Sequence, residues 1–171
     1  MEFYKILINH AKNLNLTNRI GSGADGIVWL TNNKVVKICI GDYLKFVQIL
    51  KSLDNNYVKV YEHKKIDKYL DADVYLYYME KLNKLTEDEN KVFYTLVSHE
   101  DSGKIKSFSD KKAIKILDEL ERFLEFDKNK VFKFIKQISA NNIKHLDICE
   151  RNIMKDDCGN FKLIDLERVK T

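Results

Sequence analysis

Near residue 85 the apolar residues of this chain change their period, and that change constrains the fold more than any other feature. Before it they come in short β-prone runs: Ile27-Val28-Trp29-Leu30, Val35-Val36-Lys37-Ile38-Cys39-Ile40, Tyr57–Tyr61 and Val74–Met79. Thr31-Asn32-Asn33-Lys34 between the first two predicts a hairpin, and a polar turn around Asp71-Ala72-Asp73 separates the last two. Phe46, Leu50 and Leu53 predict one helix among these strands, over Tyr43–Leu53. Beyond residue 85 helical spacing takes over. Thr86-Glu87-Asp88-Glu89 has the shape of a capping box opening a helix to about Val97. Asp110 can cap a second, with Ala113, Ile114, Leu117, Leu120 and Leu124 on one apolar face. A third runs from Val131 to Ile138 and carries Phe134 and Ile135. The chain closes with Asn152–Lys155 and Phe161–Ile164, two short strands around Asp157-Cys158-Gly159-Asn160. The expected class is therefore α+β: a β-rich first part, a helical middle and a terminal hairpin, in two lobes with a cleft between them.

At 171 residues the chain suits one domain or two very small lobes, and it can bury roughly 70% of its unfolded surface. Hydrophobic residues at 44% and charged residues at 33% exclude a disordered or collagen-like chain. No stretch approaches the ~18 uninterrupted apolar residues of a membrane span. Met1-Glu2-Phe3-Tyr4-Lys5 lacks a signal-peptide pattern, so a soluble, cytoplasmic protein is expected. The net charge of +4 is scattered among acids with no basic arm, so nucleic acid is not an expected partner. Cys39, Cys149 and Cys158 show no CxxC pairing, which points to free thiols rather than a disulfide framework or a zinc site.

Three motifs carry chemistry. In Gly21-Ser22-Gly23-Ala24-Asp25-Gly26-Ile27-Val28, glycines permit positive φ and let backbone N–H groups approach a phosphate. A GxGxxG run fits a dinucleotide-binding turn into a helix or a hairpin turn between strands, and Ile27–Leu30 continuing as strand favours the hairpin. Lys37, in the apolar setting of Val35-Val36-Lys37-Ile38, either snorkels to solvent or aims its ammonium group at phosphate oxygens from one sheet face. The third motif is the most specific: His145-Leu146-Asp147-Ile148-Cys149-Glu150-Arg151-Asn152, followed by Asp165 after an apolar strand. Such oxygen ligands suit Mg²⁺ that keeps coordination positions for substrate phosphates. Asp147 is placed to orient an attacking hydroxyl and accept its proton, with Asn152 and Asp165 holding the metal.

Together these motifs resemble the protein-kinase-like phosphotransferases. Gly21–Val28 resembles the GxGxxGxV loop, Val35-Val36-Lys37 the VAIK strand, His145–Asn152 the HRDxxxxN catalytic loop, and Ile164-Asp165-Leu166-Glu167 stands where DFG occurs. Tyr77-Tyr78-Met79-Glu80-Lys81-Leu82 resembles the inter-lobe hinge, with Met79 as gatekeeper. The resemblance implies a minimal bilobal kinase fold with a small β-sheet lobe over 1–80 and a reduced helical lobe over 81–171. It implies ATP and Mg²⁺ as cofactors and a protein substrate phosphorylated on Ser, Thr or Tyr. Gly21, Ser22, Gly23, Gly26, Val28, Lys37, Met79, Glu80 and Leu82 would bind the nucleotide. Asp147, Lys37 and Asn152 would be catalytic, and Asn152 and Asp165 metal-binding.

The sequence also departs from the family. Tyr43–Leu53 contains no glutamate to pair with the strand lysine, Leu146 replaces the catalytic-loop arginine, and six residues follow Asp165, so control by a phosphorylated activation loop is not expected. Asp165-Leu166-Glu167 is similar to the aminoglycoside and choline phosphotransferase branch, which implies a small-molecule acceptor as one alternative. A pseudokinase that only binds a partner is the other.

Overall fold

The computed structural model describes residues 2–23, 25–41, 56–98, 110–140, 144–145, 150–164 and 169–170. These form an α+β protein in two compact units, with the chain passing from the first to the second between Lys81 and Leu82 and with Asn56 and Tyr57 belonging to the second.

The first unit is built on an antiparallel five-stranded sheet. Helix α1 (Glu2–Asn13) precedes β1 (Arg19–Ser22), β2 (Gly26–Leu30), β3 (Val35–Ile40), β4 (Val60–Tyr69) and β5 (Ala72–Met79), in the order β1-β2-β3-β5-β4. The β2–β3 hairpin forms as its sequence predicts. Thr31 closes the turn by donating its amide and its hydroxyl to the Lys34 carbonyl, at 2.9 and 2.8 Å. The β4–β5 turn is shifted from its expected place. Tyr69 pairs with Ala72, so Leu70 and Asp71 make the turn, and Leu70 takes a φ of 52°. Alternation along β2, β3 and β5, which pair without register shifts, divides the sheet into two faces. Ile27, Trp29, Val36, Ile38, Val74 and Leu76 form an apolar face that is buried together with Leu7 and Ala11 of α1. Cys39, Tyr75 and Tyr77, with Val60 and Met79 against them, line the other.

Two expectations for this unit are corrected. Helix α1 falls where only strands and turns were expected; Phe3, Leu7 and Ala11 recur every four residues, and the sheet's apolar face supplies the surface that this stripe covers. The strand expected over Tyr57–Tyr61 instead begins at Val60 and runs to Tyr69, while Tyr57 bridges to Leu163 in the second unit. The helix expected over Tyr43–Leu53 lies outside the described residues.

The second unit contains α2 (Glu87–Ser98), α3 (Asp110–Leu120), α4 (Lys128–Ala140), β6 (Lys144–His145), a 3-10 turn at Glu150–Asn152, β7 (Ile153–Lys155), β8 (Phe161–Leu163) and β9 (Val169–Lys170). The capping box is realised at the start of α2: the Thr86 amide donates to the Glu89 carboxylate at 2.7 Å, and the Glu89 amide to the Thr86 hydroxyl at 3.2 Å. On α3, Ala113 and Leu117 are buried as predicted, but Ile114 is exposed and Ile116 takes an inward place instead. Val131, Phe134, Ile135 and Ile138 of α4 are all buried. Phe93, Phe134 and Phe161 join α2, α4 and β8 through edge-on and tilted ring contacts, with centroids 4.9 to 5.8 Å apart.

Among the described residues no helix is long and apolar enough to cross a membrane.

Candidate functional site

On the first unit, Val28, Lys37 and Met79 of the residues predicted to meet the nucleotide share the sheet face turned away from α1, whereas Ser22 lies opposite Ile27 of the other face. In the strand register Val28 lies opposite Lys37, and Lys37 opposite Tyr77, so the three form a row across β2, β3 and β5. Val35 and Met79 make the next pair on this face. Lys37 is half-buried on the central strand. Next to it along β3, burial pushes the Cys39 thiol up to about 11 against the opposing pull of Lys37. Cys39 is thus a neutral thiol at physiological pH and fills space rather than acting as a nucleophile.

The three glycines of the β1–β2 turn are not equivalent, and the expected positive φ is not their reason. The described glycines in that region of backbone space are Gly41 and Gly159. Gly26 is required by packing: a Cβ there would sit 2.6 Å from Cys39 Cβ and 2.8 Å from the Ile38 carbonyl oxygen. Gly26→Ala is therefore expected to lower the free energy of unfolding by about 1–3 kcal/mol through overpacking. The fluorescence of Trp29, the chain's one tryptophan, follows that loss in urea. A Cβ at Gly21 or Gly23, by contrast, would meet nothing within 4 Å. Among the described residues, packing gives no reason for glycine at those two positions. Bare backbone with open space beside it does suit a bound phosphate. Ser22 accepts a hydrogen bond from the Arg19 guanidinium at 2.8 Å, which ties its hydroxyl to its own strand.

At the end of β5, Glu80 uses its amide on the Lys59 carbonyl at 2.9 Å and accepts the Lys59 amide on its carboxylate at 2.6 Å. The amide and the carboxylate of Glu80 are thus both engaged by Lys59. Leu82 is buried in the second unit.

The second unit holds the candidate catalytic loop. Its described parts are His145 in β6 and the 3-10 turn that ends at Asn152, half-buried at the entry to β7. Strand β7 pairs with β8, with Ile153 opposite Leu163, and the Ile164 amide donates to the Asn152 carbonyl at 2.9 Å. Strand β6 pairs with β9, with His145 opposite Val169. Asp147 and Asp165 themselves lie outside the described residues, as does Ala24 of the glycine turn. In chain order, Asp147 lies between β6 and β7, and Asp165 between β8 and β9. Among the described residues no three His, Cys, Asp or Glu side chains gather in a way that could hold a metal ion.

The β7–β8 turn is stapled by Asp156, whose carboxylate accepts the Cys158 amide at 3.0 Å and the Asn160 amide at 2.8 Å. Burial raises the Asp156 pKa, but Asn160 and these amides outweigh it and hold the carboxyl below its usual range. Gly159, at φ 75°, completes that turn. Sequence reasoning did not anticipate Lys155, which reaches back from β7 to the Glu89 carboxylate at 2.7 and 2.9 Å. Glu89 read as a capping residue alone, and no local pattern links residues 66 positions apart.

Neither a protein-family model nor a curated protein matches this chain.

Proposed function

We propose that the chain is a minimal kinase-like phosphotransferase that moves the γ-phosphoryl group of Mg·ATP to a hydroxyl of a protein partner. The observation that carries this reading is the nested strand pairing of the second unit. Residues 146–152 and 164–168 are the two connections between strand pairs β6–β9 and β7–β8, and these connections hold the motif aspartates. The hydrogen bond from Ile164 to Asn152 joins the two candidate metal-binding stretches at their described ends. On the first unit, Lys37 in its row with Val28 offers a cation, and the open positions at Gly21 and Gly23 let a phosphate come close to the backbone.

Phosphoryl transfer needs little covalent chemistry from a protein. Positioning and charge neutralisation suffice, and Lys37, Asp147, Asn152 and Asp165 are the groups to provide them. Bound Mg²⁺ would neutralise charge on the transferring phosphate. Asp147 would orient the acceptor hydroxyl and take its proton.

Transfer of labelled γ-phosphate to proteins of a cell lysate tests this reading. Lys37→Met, Asp147→Asn and Asp165→Ala are each expected to reduce protein labelling at least about a hundredfold, since each removes a group acting on the transition state. Gly23→Ala is expected to weaken ATP binding while leaving the unfolding midpoint unchanged, because its Cβ meets no atom of the described residues within 4 Å. Label on an added aminoglycoside or choline but never on protein would establish the small-molecule reading suggested by Asp165-Leu166-Glu167. Labelling that survives all three substitutions would refute the assignment.

A further inference from the structure

The glycine turn is held from behind by a residue of α1. Tyr4, in the first turns of that helix, donates its hydroxyl hydrogen to the Gly23 carbonyl at 2.7 Å. The Gly23 amide donates in turn to the Gly26 carbonyl at 2.9 Å, so both backbone polar groups of Gly23 are engaged. The helix that carries Tyr4 is itself well anchored. Leu7 and Ala11 are buried against the sheet, Phe3 packs near the Tyr69 ring at 6.2 Å, and His10 Nε2 lies 2.8 Å from Asp67 Oδ2 on β4. All of these contacts lie on the sheet face opposite the Val28–Lys37 row, so they brace the turn without occupying the ligand's side.

A turn with glycine at both of its open positions has wide conformational freedom when unrestrained, and a ligand that binds it must bear the cost of ordering it. We infer that Tyr4 is a positioning residue of the nucleotide site: its hydroxyl ties the glycine turn to α1 and pre-orders the bare backbone that lies against the phosphates, so phosphate binding depends on it and nucleoside binding does not. The inference rests on the nucleotide reading of the preceding subsection. One hydrogen bond formed before the ligand arrives is equivalent to roughly a three- to tenfold change in affinity.

Tyr4→Phe keeps the ring beside Phe3 and removes only the hydroxyl. Titration calorimetry of the full chain with Mg·ATP and, separately, with adenosine is the test. The expected result is Mg·ATP binding about three- to tenfold weaker than in the parent chain, with adenosine affinity unchanged. Without any ligand, amide hydrogen exchange over residues 19–23 is expected to quicken, while the thermal midpoint stays close to that of the parent. Unchanged Mg·ATP affinity, or an equal loss for both ligands, overturns the inference and leaves the ATP site standing. A parent chain that binds no Mg·ATP at all overturns the site reading first, and this inference with it.

Discussion

Lys155→Met is expected to lower the free energy of unfolding by about 3–5 kcal/mol near neutral pH, because it strands a buried carboxylate. The Glu89 side chain is only 11% exposed and that of Lys155 only 19%, so water compensates little for a lost partner. Burial by itself pushes the Glu89 carboxyl up, but the Lys155 ammonium and the Thr86 amide outweigh it and hold that carboxyl below its usual range. The sign of the pH dependence follows. A carboxyl whose folded pKa is depressed contributes stability that is present above its ordinary value of 4.5 and is lost as pH falls through the lower folded value. In Lys155→Met only burial and the Thr86 bonds remain, so Glu89 takes up a proton more readily and the deficit against the parent shrinks as the pH drops toward 4. Urea unfolding at pH 7 and at pH 4 checks this, and a deficit equal at both would show that Lys155 acts through packing alone. Adding Glu89→Gln to Lys155→Met is expected to restore part of the loss, since an amide oxygen still accepts from Thr86 without needing a cation.

The second large effect is expected at Phe93, which has no exposed surface and lies where α2, α4 and β8 meet. Its ring stands edge-on to Phe161 at 4.9 Å and to Phe134 at 5.7 Å, and those two rings touch each other at 5.8 Å. Phe93→Ala removes the common member of this triad. The helices are held by their own hydrogen bonds, and β8 by its pairing with β7, so the walls cannot fully close on the space. The expected cost is about 3–5 kcal/mol. Far-UV circular dichroism during urea unfolding follows it through the signal of α2, α3 and α4. Phe93→Leu, which refills most of the volume, is expected to recover more than half of that loss.

The parts of the fold legible in the sequence are those whose causes are local. The start of α2 was readable because Thr86 and Glu89 satisfy each other's amides within one turn. The β2–β3 hairpin was readable because Thr31–Lys34 closes on itself, and the apolar face of α4 because its spacing matches the helical period. Of the candidate site, alternation along β3 already implied that Lys37 points away from Val36 and Ile38.

What the tertiary structure decided are the features with distant causes. Residues 2–13 become helix α1 because the sheet has an apolar face that needs covering, and that surface is assembled from strands as far away as β5. The polar run Val60–Tyr69 carries little strand signal of its own and becomes the longest strand by pairing with β5 along its length. The roles of the glycines also separate only in three dimensions. Gly26 is demanded by Cys39 across the β2–β3 register, Gly21 and Gly23 by no atom of the described residues, and Gly23 is gripped by Tyr4 from a helix on the opposite face. Side-chain period and reciprocal caps act within a few residues, so sequence alone determines them. Register, burial and the Lys155–Glu89 pair depend on which distant segments meet, and only the assembled chain determines that.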